Sequence, residues 1–351
     1  MNNEKPAILG FHYKVVVTQR FFDAQAIEHL RQHGCEVVIA ELRQGQADAN
    51  LSEPQLIALL DEADGWIVGH ANVTASLLKS LPRLKVIARR GVGFERVDMA
   101  AVKAAGKVAT IAIGGNDASV ADHTIALMLA VCRQLKQCQS GLAADDWTIP
   151  LGSDLYRKTV GVIGLGRIGQ GVLRRLAGFD VKPLVCTPHP DATHASGIAP
   201  DCFVDLETLL RESDFVSLHA PLNPATNGLI DEHALKLMKP SAVLINTARG
   251  GLVRDAQLLR ALQENQLAGA GLDVFESESD PALSRVTQQL IKLPNVVATP
   301  HVGASTVEGL NRTNLIAAQC VVAVLGGRSP PRHCVIADGR YQGRATTDAT
   351  R

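Results

Sequence analysis

The sequence predicts an α/β protein of two doubly wound parallel-sheet domains, on three observations. Short apolar strand candidates alternate with helical stretches. That rhythm runs through one set of strands, pauses at a long helical run, and restarts. At 351 residues the chain has room for two domains of roughly 150 residues each. Strand alternating with helix means parallel pairing through helical crossovers.

In the first set, Val15–Thr18, Val37–Ala40, Gly65–Val68, Val86–Arg89 and Val108–Ile113 read as strands. Between them Ala24–His33, closed by Gly34, and Glu53–Glu62, with Pro54 in its first turn, read as helices. Ala118–Gln139 then repeats Val120, Thr124, Leu127, Met128, Val131 and Leu135 at three and four, which predicts one long helix able to bridge two domains. The second set is Thr159–Ile163, Lys182–Cys186, Phe215–Leu218, Val243–Thr247, Gly269–Val274 and Val296–Thr299. Val307–Leu325 is a further helix, followed by Gly326-Gly327 and Pro330-Pro331. From Asp338 to Arg351 the chain is polar and is expected to be a mobile tail.

Composition narrows the function classes. Hydrophobic residues make up 46% and charged residues 20%, which excludes a mainly disordered chain. Thirty-five basic residues balance 35 acidic ones, which argues against a nucleic-acid binder and against recruitment to anionic membranes by charge. Seven cysteines include no Cys-x-x-Cys pair, so free thiols in a reducing compartment are expected and no metal site is. The start of the chain is polar and lacks a signal-peptide segment, and Thr124–Cys132 is too short to span a bilayer. The expectation is a soluble cytoplasmic protein.

Thr159–Ile163 runs straight into Gly164-Leu165-Gly166-Arg167-Ile168-Gly169, and a helical stretch from Gln170 to Ala177 follows. In this strand–turn–helix setting G-x-G-x-x-G carries meaning. Gly164 permits the tight turn, Gly166 lets backbone amides approach a pyrophosphate, and Gly169 lets the helix pack close to the strand. A dinucleotide is the predicted ligand, and six strands is the count of a full dinucleotide-binding sheet. An acid at the end of the next strand would bond the ribose hydroxyls of NAD. Here that strand ends at Thr187, followed by Pro188-His189-Pro190, with Asp191 four residues late. Thr187 neither repels a 2′-phosphate nor binds one by charge, so NAD and NADP both stay open.

Ligands gather at the C-terminal ends of strands in open parallel sheets. Three candidate reactive residues lie just past such ends: Arg249 after Leu244–Ala248, Glu278 after Leu272–Phe275, and His301 after Val297–Pro300. Reduction of a 2-keto acid needs this set. An arginine fork holds the carboxylate, a histidine hands a proton to the keto oxygen as hydride arrives, and a carboxylate favours and orients the imidazolium. Taken singly, each has a bland alternative: a surface cation beside Gly250-Gly251, a solvated histidine, and an acidic loop with Glu276 and Asp280. Their coincidence downstream of one glycine loop is what points to chemistry.

Together these segments resemble the D-isomer-specific 2-hydroxyacid dehydrogenases, from about residue 60 to 325. The resemblance is carried by Ala88–Phe94, Ser119-Val120-Ala121-Asp122-His123-Thr124, Gly161–Gly169, Ser217–Leu222, Asn246–Gly250, Leu272–Phe275 and Thr299–Gly303. It implies a flavodoxin-like substrate domain from residues 1–108 and 302–337, and a Rossmann dinucleotide-binding domain over 109–301. It implies Arg249 as the carboxylate arginine, His301 as acid/base and Glu278 as its partner. Backbone amides at Val92 and Gly93 would help hold the carboxylate. Cofactor contacts would come from Gly164, Gly166, Arg167, Ile168, Gly169, Thr187, His219, Pro221, Thr226, Thr247, Ala248, His301 and Gly303. Asp273 would accept from the nicotinamide carboxamide. Members of the family are usually homodimers joined through the cofactor domain, and domain closure would exclude water.

The sequence departs from the family pattern at Thr187, where an aspartate is usual. It departs again after Glu278, where Ser279-Asp280-Pro281 replaces an immediate proline, so that Glu276 or Asp280 are alternatives to the favoured Glu278. A loop of extra length runs from Asp280 to Leu290. After Ile67-Val68, where phosphoglycerate enzymes of the family carry an arginine, the chain reads Gly69-His70-Ala71-Asn72, a poor site for a phosphate dianion. Arg89 and Arg90 remain as cations near that strand end, and no added C-terminal regulatory domain is expected. The reading is a small unphosphorylated 2-keto acid, glyoxylate or hydroxypyruvate, with D-3-phosphoglycerate as the alternative. From another class, a dinucleotide-gated binding protein like the corepressors of this fold is the rival, with little support from a tail that lacks apolar anchors.

Overall fold

A computed structural model describes residues 12–42, 46–188 and 198–340. The chain forms two compact units, one from the residues up to Asn116 together with those from Val307 on, the other Asp117–Thr306. The divides thus fall after residues 116 and 306, later than the 108 and 301 expected from the sequence.

The first unit holds β1 (Tyr13–Val17), β2 (Cys35–Ile39), β3 (Gly65–Val68), β4 (Val86–Arg89), β5 (Val108–Ile111) and β12 (Val335–Asp338) in the order β12-β5-β4-β3-β1-β2. All pairs are parallel except β12 against β5. The antiparallel edge strand β12 corrects the expected tail: Asp338 ends a strand, and Ala337 is buried. The rest of that tail, from residue 341, lies outside the described residues. One face of the sheet is covered by α12 (Val307–Leu325), which packs on β3, β4 and β5 and on α1 (Ala24–Gln32). The other face packs Trp66, Leu77, Leu78 and Val102 from β3, α3 (Ala75–Ser80) and α4 (Met99–Ala104). Polar side chains start these helices: Asp23, Thr74 and Asp98 accept the amides of Ala26, Leu77 and Ala101.

The second unit holds β6 (Thr159–Ile163), β7 (Lys182–Cys186), β8 (Phe215–Leu218), β9 (Val243–Asn246), β10 (Gly269–Leu272) and β11 (Val296–Ala298), all parallel, in the order β11-β10-β9-β8-β6-β7. The central strands are buried along their length, as near-continuous apolar runs in a parallel sheet should be. The chain reverses direction across the sheet at β6, which lies between β7 and β8. That switch point is where such sheets bind ligands.

The predicted single helix is two. α5 (Asp117–Cys132) ends, Gln134 takes a left-handed conformation (φ 51°, ψ 39°), and α6 (Leu135–Ala143) starts in a new direction. Both halves belong to the second unit, so the helix does not act as a bridge. α5 packs against α7 (Arg167–Leu176), β9 and β10, burying Leu127, Met128 and Val131. α6 is tied down by the Lys136 ammonium, which donates to the carbonyls of Ile291, Leu293 and Val296 at 2.7, 2.7 and 3.1 Å. The extra residues between Asp280 and Leu290 form a tight turn at Pro281–Leu283 and α11 (Ser284–Leu290) rather than an open loop. Among the described residues no helix is long and apolar enough to cross a membrane.

Lys136→Met removes the donor to three carbonyls that end α11 and lead into β11. Urea unfolding is expected to show a loss of about 1–3 kcal/mol, while Lys136→Arg should recover part of it.

Candidate active site

The second sheet presents its strand ends as one ledge. β9 ends at Asn246, whose amide Nδ2 donates to the Arg249 carbonyl at 2.9 Å while Oδ1 accepts from the Ala248 amide at 3.1 Å. The turn carrying Arg249 is therefore clamped by one side chain. It also lies hard against the next strand end, since a Cβ on Gly250 would stand 2.1 Å from the Phe275 carbonyl. Arg249 is half-buried and its Nη1 donates to the Ala248 carbonyl at 2.7 Å.

The bonds of Glu276, Glu278 and Asp280 separate these three acids by what each holds. Glu278 Oε2 accepts from His301 Nδ1 at 2.6 Å, and its Oε1 accepts from the Phe275 amide at 2.9 Å. Glu276 is engaged elsewhere, with Arg254 Nη1 at 2.9 Å and the Asp255 amide at 2.8 Å. Asp280 accepts from the Ala282 amide and starts the following turn. A carboxylate only accepts, so Nδ1 of His301 carries the hydrogen and Nε2 is left for proton exchange. The bond to Glu278 raises the His301 pKa above the ordinary histidine value. Burial and the Arg249 charge oppose that rise, and the charges of Glu278 and Asp273 reinforce it.

His301 sits in a left-handed conformation, φ +54°, which a non-glycine residue adopts only when its surroundings impose it. They are imposed here by Asp273. This buried carboxylate accepts the Thr299 hydroxyl (2.5 Å) and the amides of Val302 and Gly303 (2.8 Å each), and the Asp273 carbonyl accepts the His301 amide at 2.8 Å. Burial pushes the Asp273 pKa up, but the bonds from His123, Thr299, Val302 and Gly303 outweigh it and hold the group below the usual carboxylate range.

The glycine loop follows β6. Gly164 has φ +97°, and a Cβ there would strike the backbone of His219 and Ala220 at 2.7 Å. Gly166 is the N-cap of α7 with no side chain capping the helix, and a Cβ on it would meet nothing within 4 Å. Gly169 lies in the first turn of α7, 2.2 Å from Cβ position to Gly164 oxygen. An uncapped helix end facing open space fits the phosphates of a dinucleotide. Arg167 and Ile168 open α7. His219 follows β8. Its Nε2 pairs with Ser217 Oγ at 2.8 Å, its Nδ1 is buried with no partner among the described residues, and burial lowers its pKa to about 4, so it is neutral. A neutral ring with one unmatched nitrogen beside the glycine loop also fits a bound polar ligand. Pro221 and Thr226 form the turn beyond, with the Thr226 hydroxyl donating to the Pro221 carbonyl at 2.6 Å. Thr247 and Ala248 lie between Asn246 and Arg249, and the Thr247 hydroxyl is 2.9 Å from that of Thr124. Thr187 follows β7, and His189 and Asp191 lie outside the described residues. Val92 and Gly93 belong to the first unit, in the bend after β4, where Arg89 Nε donates to the Gly93 carbonyl.

Sequence reasoning passed over Asn246, Thr299 and His123 as individual residues, although the motifs containing them were evident. The resemblance implies one task for Asp273, accepting from a carboxamide, whereas its carboxylate receives three protein donors, with His123 Nε2 3.4 Å from the same Oδ1.

The sequence profile of "D-isomer specific 2-hydroxyacid dehydrogenase, NAD binding domain" matches residues 125–303. The chain is 39% identical to a D-3-phosphoglycerate dehydrogenase of Mycobacterium bovis over 79% of its own length and 52% of the relative's. It is also 39% identical to a glyoxylate reductase of Thermococcus litoralis, over 74% of this chain and 79% of that one. The chain thus spans about half the length of the phosphoglycerate relatives it matches. Among solved structures, D-lactate dehydrogenase from Aquifex aeolicus complexed with NAD and lactic acid superposes with a TM-score of 0.74 at 29% identity, covering 92% of this chain and 98% of that one.

Glu278→Gln keeps the shape of the pair and removes the charge. His301, followed by NMR through its ring proton, is expected to titrate at a lower pH in the variant, because the imidazolium loses its anionic partner. An unchanged titration would show that Glu278 does not govern it.

Proposed function

Because the chain belongs to the D-isomer specific 2-hydroxyacid dehydrogenase family, we propose that it interconverts a small 2-keto acid and its D-2-hydroxy acid with NAD or NADP. The observation that carries this reading is the 2.6 Å pair of His301 and Glu278, set beside Arg249 and on the same sheet as the glycine loop. The nicotinamide, when bound, supplies the hydride in reduction and takes it in oxidation. In reduction, Nε2 of protonated His301 gives its proton to the keto oxygen, and Glu278 holds the imidazolium until then. Arg249 pairs with the substrate carboxylate and fixes the orientation of the carbonyl. In oxidation the same Nε2, unprotonated, takes the hydroxyl proton. The raised His301 pKa favours the acid form and so extends reduction toward higher pH.

For the substrate we favour glyoxylate or hydroxypyruvate, on the Gly69-His70-Ala71-Asn72 stretch, which offers no guanidinium to a phosphate. D-3-Phosphoglycerate is the second reading, favoured by the identity to the phosphoglycerate relatives. The stretch between α6 and β6 exposes Trp147, Ile149 and Leu151 by 77, 92 and 93%. Three large apolar side chains at alternate positions with that exposure support a second copy of the chain as the partner of this unit.

The decisive assay follows absorbance at 340 nm with NADH and with NADPH against glyoxylate, hydroxypyruvate, pyruvate and phosphohydroxypyruvate. Turnover of an unphosphorylated acid is expected; turnover of none, with cofactor bound, sinks the enzymatic reading in favour of a cofactor-gated binding protein. His301→Ala should lose about two to four orders of magnitude in kcat with cofactor binding retained, and Arg249→Ala should damage KM and kcat together. Reduction should decline as pH rises through the His301 pKa, and oxidation should rise over the same range. In sedimentation, the double change Ile149→Asp, Leu151→Asp is expected to convert a dimer to monomers; a wild-type monomer at micromolar concentration removes the second copy from the proposal.

A further inference from the structure

We propose that His123 is a positioning residue for His301, acting through Thr299 and Asp273; as a statement about catalysis this rests on the function proposed above. His123 lies on α5, far in sequence from the residues it meets. Its Nε2 is 2.9 Å from Thr299 Oγ1 and 3.4 Å from Asp273 Oδ1. The Thr299 hydroxyl has one hydrogen, and that hydrogen goes to Asp273 Oδ1. Thr299 therefore accepts from His123, so Nε2 carries the ring hydrogen at this point. The direction of the chain is thus set: His123 donates to Thr299, and Thr299 donates to Asp273. Asp273 then receives the amides of Val302 and Gly303, the two residues that follow His301.

This arrangement answers a specific need. The turn at His301 has a positive φ, a conformation that costs on the order of 1–3 kcal/mol and persists only where the surroundings over-determine it. Asp273 supplies the acceptors, but a carboxylate has two oxygens free to rotate about the bond to Cβ. Oδ2 accepts from Gly303, and Oδ1 accepts from Val302 and Thr299, with His123 Nε2 3.4 Å away. The Thr299 hydroxyl on Oδ1, itself held by the His123 N–H, fixes the carboxylate plane, so that its two oxygens meet two successive amides. A Cβ on Gly303 would stand 2.9 Å from Asp273 Oδ2 and 3.5 Å from the His123 ring, so the ring also closes the space around the turn. Without His123, the Thr299 hydroxyl loses its donor, the carboxylate loses one restraint, and the aim of His301 toward Glu278 loosens. A loosened pair shows in the His301 titration, where Glu278, Asp273 and Arg249 are the charged groups that act on the ring.

Three variants test this. His123→Phe keeps a ring and removes the donor, His123→Gln keeps an amide donor at similar reach, and Thr299→Val breaks the same chain from its other side. In the full-length apo protein, His301 is expected to titrate lower in His123→Phe and in Thr299→Val than in the wild type, and near the wild-type pH in His123→Gln. With a 2-keto acid that is turned over, kcat/KM should fall about tenfold or more in the first two and recover in the third, while NADH binding followed by fluorescence stays within about twofold. A His301 titration unchanged in both His123→Phe and Thr299→Val overturns the proposal, as does a His123→Gln protein that behaves like His123→Phe. If His123→Phe fails to fold, Thr299→Val and His123→Gln decide it alone. A wild type that turns over no 2-keto acid would defeat the proposed function, yet the His301 titrations would still decide the positioning.

Discussion

The site depends on one buried carboxylate. Asp273 is 1% exposed, and its charge is retained there only because every direction around it supplies a donor. Those donors are the means by which the sheet's edge is shaped. β10 brings Asp273 to its C-terminal end, β11 brings Thr299 to the neighbouring end, and the turn after β11 folds back over the carboxylate. The result is that a histidine which follows a strand by three residues is held at a backbone conformation it would not choose alone. Both the geometry and the charge of Asp273 act on His301. The first fixes where the ring points, and the second adds to the attraction that Glu278 provides for the imidazolium.

Much of this was legible in the sequence because it rests on local patterns. Parallel strands buried on both faces are apolar runs, and Gly65–Val68, Val86–Arg89, Thr159–Ile163, Lys182–Cys186 and Phe215–Leu218 have the same bounds in the structure as in the sequence reading. The glycine loop is read from three residues in a strand–turn–helix setting. The misses have a common physical origin: they are decided by partners far along the chain. The long helix breaks at Gln134 without a glycine or proline to announce it. There the side chain Nε2 donates to the Leu151 carbonyl, and Lys136 just beyond it reaches the carbonyls of Ile291, Leu293 and Val296. β12 is four residues long, and its pairing with β5, more than 200 positions earlier, carries no local signature.

The same distinction separates what was read at the site from what was not. Arg249, Glu278 and His301 each lie just past a strand end, and the topology of a parallel sheet puts such positions together whatever their neighbours are. The order of the acids within Glu276–Asp280 was a different question. Three carboxylates within five residues have nearly the same sequence context, and only the fold assigns them: one to an imidazole, one to a guanidinium and an amide, one to the start of a turn. The tasks of His123 and Thr299 were hidden for the same reason. Their hydrogen bond spans 176 positions, and a histidine inside a helical repeat shows nothing of where its ring leads.

The acids around His301 also have to be kept from spoiling the pair they surround. Asp255 is 2% exposed, and burial together with the charges of Glu276 and Glu278 pushes its pKa up to about 7. Its Oδ2 accepts from the Glu276 amide, while Glu276 accepts from the Asp255 amide, so the two residues bind each other's backbones across two loops. The Arg254 guanidinium, 2.9 Å from Glu276, supplies a positive charge to this cluster of acids. Near neutral pH, then, Asp255 carries only part of a charge, Glu276 is matched by arginine, and of the three acids from 276 to 280 the one paired with an imidazole is Glu278. That allocation explains how a loop with three acids can present a single, directional acceptor to His301. The loop is held in register by the Asp255–Glu276 clamp, and the electrostatic pull on the ring comes from Glu278, with Asp273 behind it.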